Sequence, residues 1–194
     1  MGRKAGSYNQ FSDESLIEYI VQSDKAAFAE LYSRWVIKIK KFFLNLCEYD
    51  EDTANDLTQD LFLKILERAG TFDSDQKFSP WVFTIAYNLF KNDLRKRKTD
   101  EQFRNNTGES DEIFYTGVEK SIDLKSSSKF VQSMLNKLDP AVRSIFILRH
   151  VEELTVPEIA RITSLPEGTV KSRLFYALKK LSKERQQYQL SEWI

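Results

Sequence analysis

TVPEIARITSLPEGTVKSRLFYALKKL, residues 155–181, reads as two short helices joined by a tight turn, the second with a basic outer face. Thr155 and Glu158 have the spacing of a capping box, in which hydroxyl and carboxylate satisfy two orphan amides at a helix start. Ile159 and Ile162 give the first helix a short apolar stripe, and the small Ala160 lets another helix cross closely. Pro166 then pushes the residue before it out of helical geometry. In the second helix Val170, Leu174, Ala177, Leu178 and Leu181 fall on one side at 3.6 residues per turn. Ser172, Phe175, Tyr176 and Lys179 fall on the other, flanked by Lys171 and Arg173. Cations, a hydroxyl and rings suit phosphates, base edges and thymine methyls in a major groove. A solvated helix hairpin and a DNA-reading helix-turn-helix both fit these residues taken alone.

The rest of the chain reads the same way. Only 6 Gly and 4 Pro in 194 residues, with few strand-like alternations, predict an all-α protein. The formal net charge is zero, but basic residues cluster at 95–98 and again across 171–185, whereas residues 100–123 are largely acidic. Local patches decide docking on phosphates. A single cysteine, Cys47, excludes an internal disulfide or a cysteine-rich metal site, and a reducing cytoplasm is the expected location. His150 is the lone histidine, which argues against His-rich zinc sites and most acid–base dyads. No apolar run approaches a membrane span and no signal peptide opens the chain, so no membrane insertion is expected.

In chain order, residues up to about Phe11 read as a loose tail. Ser12 starts a helix with Leu16, Ile17, Ile20 and Val21, and Ser23-Asp24 caps a longer one rich in buried-type aromatics. Then NDLTQDLFLKILERAG, residues 55–70, gives a less ordinary wheel. Leu57, Leu61 and Ile65 share one side, yet Phe62, Leu63 and Leu66 lie largely on others, with Asp56, Gln59 and Asp60 between them. Such a helix is either buried on every side or half of it awaits a partner. Gly70 has the position of a helix C-cap.

Next comes TFDSDQKFSPWVFTIAYNLFKNDLRKRK, residues 71–98. Ser79 is placed to cap a helix, with Pro80 at its first position. Val82, Phe83, Ala86, Phe90 and Leu94 form an inner stripe. Opposite them Thr84, Asn88, Lys91 and Arg95 align, bordered by Trp81 and leading into Lys96, Arg97 and Lys98. Amide to base, charge to phosphate and ring to an unstacked base is one use of such a track; an ordinary solvated face is the other. Helical periodicity is lost over residues 100–128, a flexible acidic linker on this reading. Two small helical domains therefore flank it, spanning 12–99 and 129–187. In the second, Asp139-Pro140 is a helix cap followed by proline at the first position.

Three stretches together resemble the extracytoplasmic-function group of the bacterial sigma-70 family. They are Asp56-Leu57-Thr58-Gln59-Asp60-Leu61-Phe62-Leu63-Lys64, the run from Phe78 through Trp81 to Asn88, and Pro166-Glu167-Gly168-Thr169-Val170-Lys171-Ser172-Arg173-Leu174. The resemblance implies a sigma factor that binds core RNA polymerase, directs it to promoter DNA and helps open the strands, with no enzymatic chemistry and no cofactor or metal. It assigns Asp56, Gln59, Asp60, Phe62, Leu63 and Leu66 to the polymerase clamp helices. Trp81, Thr84, Asn88, Lys91, Arg95, Lys96, Arg97 and Lys98 fall to the −10 element, Asn88 reading a base flipped from the stack. Lys171, Ser172, Arg173, Phe175, Tyr176 and Lys179 fall to the −35 element. A separate anti-sigma factor is the implied controlling partner, and no small-molecule substrate is. The rival readings are a free-standing helix-turn-helix regulator and, with no acid–base pair or P-loop to support it, a helical enzyme.

Overall fold

In the computed structural model, residues 8–107 and 126–191 are described, and every regular element among them is helical. Eight α-helices follow in order: α1 Asp13–Val21, α2 Lys25–Leu46, α3 Glu51–Arg68, α4 Phe78–Thr107, α5 Ser126–Asn136, α6 Pro140–His150, α7 Val156–Thr163 and α8 Glu167–Ser191. The fold is all-α, as the sequence predicts. α1–α4 make an N-terminal lobe and α5–α8 a C-terminal one.

The helix starts follow local chemistry. Asp24 accepts from the amides of Ala26 and Ala27 at 2.8 and 3.1 Å, and Asp50 from that of Thr53 at 3.2 Å. Asp139 accepts from Ala141 at 2.9 Å with Pro140 behind it. Each carboxylate satisfies an amide that a helix start leaves without an internal partner and sits at the positive end of the helix dipole.

Four local expectations fail. The described part of the supposed tail, residues 8–11, is anchored: Tyr8 is buried, its hydroxyl donates to Asp24 at 2.6 Å, and its ring meets Phe11 and Tyr19. Gly70 is no left-handed cap but lies in a 3-10 turn, Ala69–Thr71, that extends α3. α4 starts at Phe78, where the amide donates to Glu14 of α1 at 2.9 Å, rather than behind a Ser79 cap. It also runs past residue 99 to Thr107: a helix already nucleated propagates without an apolar stripe, and no Gly or Pro interrupts it. Of the acidic linker, residues 108–125 lie outside the described residues.

The two lobes are docked on each other. One continuous core takes in Leu31, Trp35, Ile39, Phe42 and Phe83 from the first and Ile145, Leu148, Ile159, Ile162, Val170 and Leu174 from the second. α4 lies against α3 on one side and α7 on another, and α2 also touches α6. A smaller cluster of Leu135, Leu138 and Ala177, flanked by Val142, Phe146 and Leu181, joins α5 and α6 to α8. Lone Cys47 is half-buried, and burial pushes its thiol up to about 12, so it stays protonated and inert.

Candidate nucleic-acid and polymerase interface

The polar track on α4 reaches solvent. Asn88, Lys91, Arg95, Lys96 and Lys98 are exposed, while Val82, Phe83, Ala86 and Phe90 are buried on the far side of the same helix. Thr84 is half-buried, and its hydroxyl donates back to Pro80 O at 2.8 Å. Trp81 is also half-buried, held edge-on by Phe72 at 5.1 Å and tilted against Phe78 at 5.7 Å. Those rings fix the loop of residues 72–77 against the start of α4.

Arg97, half-buried, is already engaged within the protein. Its guanidinium pairs with Asp93 at 2.8 Å and Asp50 at 3.7 Å and donates to Thr53, so its charge ties α4 to the start of α3. A helix wheel lists Arg97 with its neighbours but cannot show that its facing partners are acids 4 and 47 positions away in sequence.

On α3 the wheel's split is resolved. Leu57, Leu61 and Ile65 are buried, whereas Leu63 and Leu66 are 57% and 45% exposed, beside exposed Asp56, Gln59 and Asp60. Phe62 is the correction. It is only 3% exposed, its ring tilted against that of Tyr32 with centroids 4.5 Å apart and edge-on to Phe28, and it supports the outer face from beneath. α2 and α3 cross there, which covers a ring that a single-helix projection leaves outside.

The turn into α8 is built as its residues dictate. Thr155 Oγ1 and Glu158 make the reciprocal capping box, and Ser164 ends α7 in the left-handed region at φ 56°. α8 then presents Lys171, Ser172, Phe175, Tyr176 and Lys179 to solvent, with Arg173 half-buried, over a seat of Val170, Leu174 and Ala177. Phe175 and Tyr176 are 62% and 65% exposed, two large rings side by side in solvent. Leu178, expected inside, is instead 49% exposed.

The residues that sequence reasoning passed over lie between the lobes. Arg143 of α6 is fully buried. Its guanidinium donates to Leu46 O at 3.1 Å and Glu48 Oε1 at 2.8 Å in the first lobe, and to Asn136 O and Leu138 O in its own. Glu152 is buried beside Lys38, whose ammonium stands 3.2 Å from Oε2, an ion pair by distance without the angle of a hydrogen bond. Burial pushes the Glu152 carboxyl up, and Lys38 only partly opposes it. No periodic pattern marks either residue; an arginine amid the apolar run of α6 is the one sequence signal.

Among the described residues no three His, Cys, Asp or Glu side chains gather as a metal site would require, and no helix is long and apolar enough to cross a membrane. Residues 28–99 match Sigma-70 region 2, and residues 131–181 match Sigma-70 region 4. The RNA polymerase sigma-H factor of Pseudomonas aeruginosa is 30% identical over 186 residues, covering 91% of this chain and 95% of that protein. The ECF RNA polymerase sigma factor SigW of Bacillus subtilis is 27% identical over 87% of this chain and 94% of its own length. In structure, the sigma factor RpoE of Bartonella quintana, solved with the anti-sigma factor NepR, aligns with a TM-score of 0.63 at 26% identity, over 80% of this chain and 94% of that one. With both regions matched in order and near-full-length similarity to sigma factors, this chain belongs to the extracytoplasmic-function group of the sigma-70 family.

Proposed function

We propose how the labour of a sigma factor is divided along this chain. The protein serves promoter-directed transcription initiation by RNA polymerase, with residues 12–99 acting as the region that grips core and opens the −10 element. Residues 129–187 anchor the −35 element. Leu63 and Leu66, with Asp56, Gln59 and Asp60, form the polymerase-facing patch, and Phe62 backs it. Asn88 reads an unstacked base beside Trp81 and Thr84, while Lys91, Arg95, Lys96 and Lys98 hold phosphates. On α8, Lys171, Ser172, Arg173, Phe175, Tyr176 and Lys179 address the major groove. The protein acts without catalytic chemistry of its own, in the cytoplasm. An anti-sigma factor controls it, a partner class seen bound to the similar RpoE of Bartonella quintana.

The observation that carries this reading is the exposure of Asn88 and Lys91 on a helix whose opposite side is fully buried. An amide and cations on such a face are free to meet a nucleic acid. The test adds the purified protein to core polymerase and selects promoter DNA from a random pool. A sigma factor comigrates with core and enriches paired −35 and −10 elements. A free-standing regulator would neither comigrate nor yield the −10 half.

A further inference from the structure

We infer that Glu14 of α1 is a positioning residue for −10 recognition: its carboxylate caps α4 from 64 positions upstream and fixes the turn that carries Trp81 and holds Thr84. The inference rests on the −10 role given above to Trp81, Thr84 and Asn88, and adds a residue that acts through them. Glu14 precedes residues 28–99, the stretch matched to region 2.

α4 lacks a cap of its own. The residue before its first position is Lys77, whose side chain has no oxygen to accept from an orphan amide, and Pro80 at the third position has no amide. The loop spends its nearest carboxylate on itself: Asp73 accepts from the Asp75 amide and from the Gln76 side chain, both at 3.1 Å. The Phe78 amide is met instead by Glu14 Oε1 at 2.9 Å. Since Glu14 lies in the first turn of α1, one carboxylate serves the positive ends of two helices.

Phe78 is held by its ring as well as by its amide, and adjacent acids of α1 begin both holds. Asp13 accepts from the Trp35 indole at 2.8 Å, and the Trp35 ring lies edge-on to Phe78 at 5.0 Å. Phe78 packs in turn against Phe72 and Trp81 and is buried. Asp13 is itself fixed by Arg34 at 3.0 Å, whose guanidinium also donates to the carbonyls of Tyr8 and Phe11. α1 is therefore anchored on α2 where it reaches across to α4.

The capped turn is the one that sets up the reading face. Trp81 lies within it, and its Pro80 carbonyl accepts from the Thr84 hydroxyl at 2.8 Å. Two of the three residues placed at the unstacked base thus take their positions from the turn that Glu14 caps. Ser15 and Glu18 of α1 face Ser74 and Asp75 of the loop across a cleft whose lining is entirely polar. On that side the Glu14 bond, not apolar packing, ties α1 to the start of α4. Without it the first turn frays, and Trp81 and Thr84 lose a fixed place.

The test uses the full chain and its holoenzyme, with a −10 single strand and a −35 duplex taken from the selected promoter. Exchange of the Phe78 amide, followed by NMR in the free chain, should quicken several-fold in Glu14→Ala, as for one lost cap. Glu14→Gln, whose amide oxygen still accepts, should stay close to wild type. Holoenzyme carrying Glu14→Ala should bind the −10 strand several-fold more weakly and choose less sharply among bases there, with core and −35 binding unchanged; Glu14→Gln should restore both. Tyr8→Phe, which loses the bond to Asp24 and destabilises the same segment without touching Phe78, should keep the wild-type base preference. Wild-type exchange at Phe78 in Glu14→Ala overturns the cap. Base preference that relaxes equally in Tyr8→Phe, or that Glu14→Gln fails to restore in folded protein, overturns the positioning role. A −10 strand that depends on Asn88 but not on Glu14 sinks this inference alone, whereas one indifferent to Asn88→Ala sinks the reading of α4 and this inference with it.

Discussion

Two glutamates show how much a single carboxylate does in this chain. Glu158 accepts from the Thr155 amide at 2.8 Å and from its hydroxyl at 2.6 Å, and the hydroxyl bond foremost holds its carboxyl below the usual range. For Glu14, partial burial pulls upward, but the Phe78 amide and shorter-range bonds win and the net direction is again down. A carboxyl depressed in the folded state adds stability above its unfolded pKa, about 4.3, and that stability is lost as pH falls through the folded value. Urea midpoints followed by circular dichroism should therefore drop below about pH 4.3. Glu158→Gln should flatten that drop while costing about 0.5 kcal/mol at neutral pH, since glutamine can still close the capping box. An unchanged acid slope in Glu158→Gln would remove the cap from the list of titrating contributions. Asn88 makes the functional counterpart. Exposed and outside every packing contact of α4's inner stripe, it should be replaceable by alanine with no loss of stability or of core binding. Permanganate footprinting of the holoenzyme on its promoter should nonetheless show strand opening reduced at least tenfold; equal loss of core binding and opening would contradict its assignment.

At the scale of the helix, charge on one face and leucine on another separate two functions that can be tested apart. Lys179 of α8 is exposed and makes no ion pair among the described residues. Lys179→Ala should weaken −35 duplex binding by about 1–3 kcal/mol if it reads a base edge, or lower the salt slope by about 1 if it holds a phosphate. Affinity unchanged at every salt concentration would move the recognition face elsewhere. On α3, Leu63→Asp should abolish comigration with core but leave duplex binding intact, because its side chain is more than half exposed and outside the core. Wild-type comigration would retire the patch. These are also the places where the sequence was most readable. The Thr155–Glu158 spacing, Asp139-Pro140 and the buried stripes of α4 and α8 are local or periodic, and local rules decide them. Phe62 was not readable, because what buries it is a ring 30 positions upstream on α2. Arg97 was not either: its partner Thr53 is 44 positions away, and a run of four basic residues gives no sign that one is already engaged.

For the whole molecule, the feature least visible in the sequence is the one with the largest thermodynamic consequence. Patterning shows two amphipathic sets separated by an acidic stretch and reads naturally as two independent domains. It does not show that Arg143, inside the apolar run of α6, spends its hydrogen bonds on residues up to 97 positions away. Since α2 and α4 share one core with α6, α7 and α8, unfolding either lobe exposes apolar surface on the other, and the two should melt together. Differential scanning calorimetry of the full chain should give one transition whose calorimetric and van't Hoff enthalpies agree. Arg143→Ala strips donors from three buried or half-buried carbonyls and from Glu48, and bonds to charged groups are worth about 1.5–3 kcal/mol each way. At this chain length, where 1 kcal/mol shifts the midpoint by about 2–4 °C, the variant should melt lower by at least about 10 °C, and its transition should broaden or split as the lobes uncouple. Two resolved transitions in the wild-type protein, with Arg143→Ala moving only the one belonging to its own lobe, would mean that the shared core contributes nothing to cooperativity and that each lobe folds on its own account.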